Sequence, residues 1–188
     1  MRLFLAINPP SELRGSLAEA MRPLRDAAPG LRWVSAERVH LTVRFLGDQP
    51  IERLAEIRVA VDTAAARHVE APVALGRLGA FPNFRRARVV WLGVAPDPRL
   101  ELLHHDVEEA CVRLGFEPEG RPFRPHLTIA RVPDGAPEEE LRALHRLARS
   151  FPFEATIDVP SIDLMVSELS PEGPRYRLLH TSPLGAAV

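Results

Sequence analysis

The sequence predicts a mixed fold of strands and helices, arranged as two pseudo-symmetric β-α-β-α-β lobes whose middle strands meet at a central groove. Three observations carry that expectation. The tripeptide His-Leu-Thr stands twice inside an apolar run, as His40-Leu41-Thr42-Val43 and His126-Leu127-Thr128-Ile129, 86 positions apart (126 minus 40). Strand-like and helix-like stretches succeed one another in the same order on both sides of residue 84. No Gly/Ser-rich linker divides the chain, and 81–88 (FPNFRRAR) reads as a loop rather than a spacer. The repeats, approximately 1–84 and 85–188, are therefore expected to form a single bilobal domain.

Each element has its own signal. The opening RLFLAI (2–7) is an apolar run of strand length that Pro9 and Pro10 bring to an end. Ser11 after the prolines suits a helix N-cap, and a helix runs on over 11–27. Residues 39–46 alternate apolar and polar positions around the first His-Leu-Thr. Gly47-Asp48 and Pro50 close that strand and open the next helix, 51–68. A strand over 72–81 completes the first repeat. The second repeat runs as strand 88–95, helix 98–114, strand 126–132 with the second His-Leu-Thr, helix 137–150, and strands within 155–169 and over 176–180.

Because side chains along a strand alternate between faces, His and Thr of each copy project from one side while Leu and Val or Ile pack beneath. A histidine and a hydroxyl therefore stand side by side twice. Near neutral pH one imidazole can hold a proton that another lacks, so two of them at one groove make an acid and base pair. The threonines add hydroxyl donors for an anion.

The whole chain narrows the classes. Its 188 residues, 46% hydrophobic and 26% charged, are ordinary for a soluble globular protein of one ample domain or two joined lobes. The N-terminus lacks the apolar length and cleavage site of a signal peptide, and no segment is long enough to span a bilayer, so the expected location is cytoplasmic. A net charge of -1 gives no global attraction for nucleic acid, and any polyanion must meet local clusters such as Arg85, Arg86 and Arg88, or Arg121 and Arg124. All the basic residues are arginine, a bias that points to coding background more than to phosphate binding. Cys111 is the single cysteine, which excludes an internal disulfide and a cysteine-based zinc site. In the helical pattern VEEACVRLG it reads as a buried thiol without chemistry.

Taken together, the opening RLFLAINPP, the HLTVRFLG and RPFRPHLTIAR blocks, the RVVWLG strand and the terminal SELSPEGPRYRLL resemble the two-histidine (2H) phosphoesterase superfamily, whose signature is a pair of His-x-[Ser/Thr]-hydrophobic motifs. Within it the chain resembles the bacterial and archaeal RNA 2',3'-cyclic phosphodiesterases, the LigT-like or 2'-5' RNA ligase group. The resemblance implies a bilobal α+β fold with antiparallel-rich sheets facing a central cleft, and no metal or other cofactor. It implies His40 as proton donor, His126 as proton acceptor, and Thr42 and Thr128 as holders of the phosphate. Arg131 matches the arginine that comes after the second motif and is a further phosphate-binding candidate. Simple strand parity puts Arg131 on the face opposite His126, so its participation requires the strand to end or twist before Pro133. Parity places Arg44 beside His40 and Thr42.

The implied activity is hydrolysis of terminal 2',3'-cyclic phosphates on RNA to a 2'-phosphomonoester, with 2'-5' ligation as its reverse. The implied partner is RNA with such an end, for instance a tRNA half, or a cyclic nucleotide; no membrane is involved and a monomer is expected. The carboxylates a magnesium site needs do not cluster near either motif. Two rival readings stand beside this one: a phosphodiesterase for small cyclic or 2',5'-linked nucleotides, and a non-catalytic module that binds RNA ends. His68, His104, His105, His145 and His180 read as surface residues, Phe4 as core packing before base stacking, and Trp33 and Trp91 as core or groove wall.

Overall fold

The chain's alternation of strands and helices folds into one antiparallel sheet with helices on one of its faces. A computed structural model describes residues 1–170 and 173–185. The elements run β1 (Arg2–Ile7), α1 (Ser11–Ala27), β2 (Arg32–Trp33), β3 (Leu41–Asp48), α2 (Leu54–Ala65), β4 (Ala71–Phe81), β5 (Val89–Val94), α3 (Pro98–Arg113), β6 (His126–Arg131), α4 (Glu138–Ala148), β7 (Ala155–Val159), β8 (Ser161–Ser170) and β9 (Gly173–Pro183). Helix α1 matches its predicted span. The predicted helix 51–68 opens as a 3-10 turn, Ile51–Arg53, and becomes α-helical at Leu54. The stretch expected within 155–169 divides at Pro160, which has no N–H for a ladder, into β7 and β8 on opposite sides of the sheet.

The strand order is β7-β4-β5-β6-β3-β1-β8-β9, with β2 also beside β6. From the central pair outward the order is the same in kind on both sides: a motif strand (β6 or β3), the strand that opens its repeat (β5 or β1), then a strand from the other repeat (β4 or β8). The two stretches have exchanged their third strands, so neither half of the sheet is complete without the other. The motif strands lie side by side, joined antiparallel through Leu41 and Leu127. Farther along β6, at Ala130 and Arg131, β2 is the neighbour instead of β3.

Hydrophobic patterning explains why only one face is covered. Leu3, Leu5, Ile7, Leu41, Val43, Leu92, Leu127 and Ile129 form one buried cluster with α1 residues Leu17 and Met21, α2 residues Ile57 and Val61, α3 residues Leu103 and Val107, and α4 residue Leu144. Truncating either central leucine, Leu41 or Leu127, removes fully buried volume and costs roughly 2–5 kcal/mol. On the opposite face the buried apolar group is small, Phe4, Ala6 and Met165 with Tyr176 against it. That open face carries the histidines.

Candidate active site

Each motif histidine is oriented the same way by its own chain. The Nδ1 of His40 lies 2.9 Å from the Arg38 carbonyl oxygen, and the Nδ1 of His126 lies 2.7 Å from that of Arg124. A carbonyl oxygen can only accept, so in both rings Nδ1 carries a proton and Nε2 is left for chemistry. His40 stands one residue ahead of β3, just after the 3-10 turn Ala36–Arg38, while His126 is the first residue of β6. Extending the Leu41–Leu127 register by one residue each way sets His40 across from Thr128 and Thr42 across from His126. The four motif side chains thus make a two-by-two array.

Two aromatic rings bracket each imidazole. Phe4 and Tyr176 both lie with ring centroids 5.0 Å from His40, Tyr176 edge-on. Phe81 meets His126 edge-on at 5.0 Å, and Trp91 lies at 6.3 Å. Trp91 occupies the space above Gly79, where a Cβ would sit 2.2 Å from the indole ring, so glycine is required there. Burial is the largest influence on His40 and pulls it below the usual imidazole value. The hydrogen bond to the Arg38 carbonyl opposes this, and the nearby charges of Arg131 and His126 add to it.

Both motif strands carry a β-bulge at the same place, the residue after Thr. On β3 the register passes from Ala6–Thr42 to Leu5–Arg44, leaving Val43 as the extra residue. On β6 it passes from Trp91–Thr128 to Val90–Ala130, leaving Ile129. A bulge reverses the parity of the residues beyond it. Val43 with Arg44, and Ile129 with Ala130, are buried pairs, and the next residues, Phe45 and Arg131, are exposed. Arg131 therefore returns to the face of His126 and Thr128, which simple alternation denied it, and its charge reaches His40.

Arg44 moves the other way, and the expectation for it is corrected by the bulge on its own strand, at Val43. Instead of standing beside His40 it is 4% exposed beneath the sheet, with Nη1 2.5 Å from Glu108 Oε2 of α3 and Nη2 donating to the Glu117 carbonyl at 2.5 Å. It ties the first motif strand to the segment that leads into the second motif.

The remaining candidates separate similarly. Phe4 is buried on the open face, and Trp91 forms groove wall. Cys111 is buried, and burial pushes its thiol up to about 11, which keeps it inert. His68 and His180 depart from the surface expectation: Nε2 of His68 is 2.9 Å from Asp106 Oδ2, and Nε2 of His180 is 2.7 Å from Asp62 Oδ1. His104 stacks on Phe123, and His145 stacks on Phe84. Among the described residues no group of three or more His, Cys, Asp or Glu side chains could hold a metal ion, and no helix is long and apolar enough to cross a membrane. Sequence reasoning missed the carbonyls of Arg38 and Arg124 and the rings of Tyr176 and Phe81. A signal for the first pair was present, since Arg-x-His-Leu-Thr occurs in both copies.

A sheet with one open face and a duplicated His-x-Thr pair on adjoining strands defines a two-histidine phosphoesterase. The 2'-5' RNA ligase superfamily matches residues 9–170, and the chain belongs to it. An RNA 2',3'-cyclic phosphodiesterase of Geobacillus stearothermophilus is 34% identical over 182 residues, 96% of this chain, and the chain spans 56% of that relative's length. An RNA 2',3'-cyclic phosphodiesterase of Methanothermobacter thermautotrophicus is 31% identical over 176 residues, 94% of this chain and 95% of the relative. The crystal structure of a Thermus thermophilus protein, 29% identical, superposes with a TM-score of 0.83 over 99% of both chains.

Proposed function

We propose that this protein is a metal-independent RNA 2',3'-cyclic phosphodiesterase that opens the terminal cyclic phosphate to a 2'-phosphomonoester and a free 3'-hydroxyl. The duplicated imidazole carries the reading: two rings on adjoining strands, each held at Nδ1 by a carbonyl two residues back and each offering Nε2 to the open face. Opening the ring requires water to lose a proton and the leaving ribose oxygen to gain one. In line with the resemblance, His126 Nε2 takes the proton as the water oxygen bonds to phosphorus, and His40 gives its Nε2 proton to the 3'-oxygen as that P–O bond breaks on the opposite side. Thr42, Thr128 and Arg131 hold the non-bridging oxygens, where donors aimed at developing charge have their largest effect.

The acid role of His40 needs a source of protonation, because burial favours its neutral form in the free protein. An anionic phosphate beside the ring supplies it, since a nearby negative charge favours the imidazolium. With an RNA 5'-hydroxyl in place of water, the same steps run backwards give a 2'-5' linkage. The chain acts in this reading as one bilobal unit, a cytoplasmic monomer, on RNA ends such as those of tRNA halves.

The test is to incubate an oligoribonucleotide ending in a 2',3'-cyclic phosphate with the protein in excess EDTA and to identify the product by phosphorus NMR. Complete conversion to the 2'-phosphate is expected. Failure to open the ring refutes the activity, recovery only with added magnesium or manganese refutes metal independence, and a 3'-phosphate product refutes the assigned roles of His40 and His126.

A further inference from the structure

The open face continues past the histidines along a row set by register. Phe81 of β4 pairs with Val89 of β5, Val89 with Arg131 of β6, and Arg131 with Arg32 of β2. Residues directly opposite in an antiparallel ladder project to the same side. The bulge at Ile129 brings Arg131 to the face of the histidines, so Arg32 stands on that face too, while Trp33 turns to the core. Both arginines are exposed.

Their electrostatic setting differs from that of Arg88 and Arg38. Arg88 holds Asp134 at 3.0 Å, and Arg38 donates to Ser35 Oγ and the Pro174 carbonyl. Among the described residues, neither Arg32 nor Arg131 makes an ion pair or a hydrogen bond through its side chain. Like charges directly opposite one another weaken a ladder. Among the described residues no Asp or Glu side chain forms an ion pair with either arginine.

We propose that Arg32 and Arg131 form a second anion site beside the catalytic array, which takes the phosphate on the 5'-oxygen of the terminal nucleotide, the phosphodiester that joins it to the rest of the RNA. The inference rests on the proposed activity and sharpens its substrate to a polynucleotide end rather than a cyclic mononucleotide. Arg131, with five N–H donors, spans the reacting phosphate and its neighbour. Arg32 serves the neighbour alone, and charge-assisted bonds from guanidinium to phosphate supply the preference.

Adenosine 2',3'-cyclic phosphate with and without a 5'-phosphate isolates this contact, because the two substrates differ by one phosphate. The parent protein is expected to favour the 5'-phosphorylated substrate in kcat/KM, and Arg32→Gln is expected to shrink that preference about tenfold, with Arg32→Lys restoring part of it. Arg58→Gln, which removes the same charge from α2, should leave the preference unchanged. On an oligonucleotide substrate, Arg32→Gln should also flatten the salt dependence, by roughly 0.7 in the log–log slope. No preference in the parent, or the same preference in Arg32→Gln, overturns the proposal. If the parent opens neither substrate, the activity has failed and the site is judged by calorimetry. Adenosine 2',5'-bisphosphate binding more tightly than adenosine 2'-phosphate, with the gain lost in Arg32→Gln, upholds the site, and equal affinities overturn it.

Discussion

The two His-Leu-Thr strands begin alike and diverge after the bulge. Each fixes its imidazole through a carbonyl two residues back, each sets a threonine beside it, and each inserts one extra residue after that threonine. From there the first copy reads Arg44-Phe45 and the second Ala130-Arg131. A charge goes under the sheet in one and onto the open face in the other. Phe45, 63% exposed and opposite Phe4 in the ladder, leaves the first side of the face aromatic, while Arg131 leaves the second side cationic. Duplication supplied a pair of like groups, and the residues beyond the bulge set them in different surroundings. The proposed reaction requires such a difference, because one ring must act as acid and the other as base.

The largest expected effects fall on what the copies share. His40→Ala and His126→Ala should each lower kcat by about 10²- to 10⁴-fold with the far-ultraviolet circular dichroism unchanged. Near-normal turnover by both variants would make the duplication ornamental. The next effect belongs to the first copy alone. Arg44→Ala leaves Glu108 facing a buried gap, and removing one partner of a buried pair costs roughly 3–5 kcal/mol, at the lower end here because Glu108 is 17% exposed. The urea midpoint measures it, and a change at Ala130 as large as this would contradict the asymmetry.

Smaller effects fall on the phosphate contacts. Arg131→Gln should reduce kcat/KM by about 10- to 100-fold, the range for a hydrogen bond to a charged group, and the loss should exceed that of Thr42→Ala or Thr128→Ala, each about tenfold or less. The reverse ranking would remove Arg131 from the reacting phosphate. Titrating the His40 ring by NMR sharpens the comparison further. In the free protein it should titrate below 6.5, because burial disfavours the imidazolium, and inorganic phosphate should move it up. Movement downward would mean that the anion does not face this ring.

Much of this is legible in the sequence alone. Periodicity and Gly/Pro punctuation locate the four helices, because each carries an apolar stripe of the right period and a clear start. The two histidines and two threonines are legible because a duplicated tripeptide in matching contexts is hard to produce otherwise. Arg44 and Arg131 are not placed correctly by alternation, which assumes a regular ladder, and a bulge leaves no distinctive residue in Thr-Val-Arg or Thr-Ile-Ala. His68 and His180 look isolated in sequence, and their carboxylate partners lie 38 and 118 residues away. Exchange of β4 and β8 between the repeats is equally hidden, because pairing across the sheet leaves no local pattern.

Two like-oriented imidazoles are held here to perform opposite proton transfers, and the pH dependence of kcat/KM on an RNA 2',3'-cyclic phosphate tests this most directly. A reaction that needs one ring protonated and the other neutral gives a bell-shaped profile in the parent protein. A profile that is flat, or that falls on one side only, would show that a single group or none governs the proton transfers and would contradict the two-histidine account.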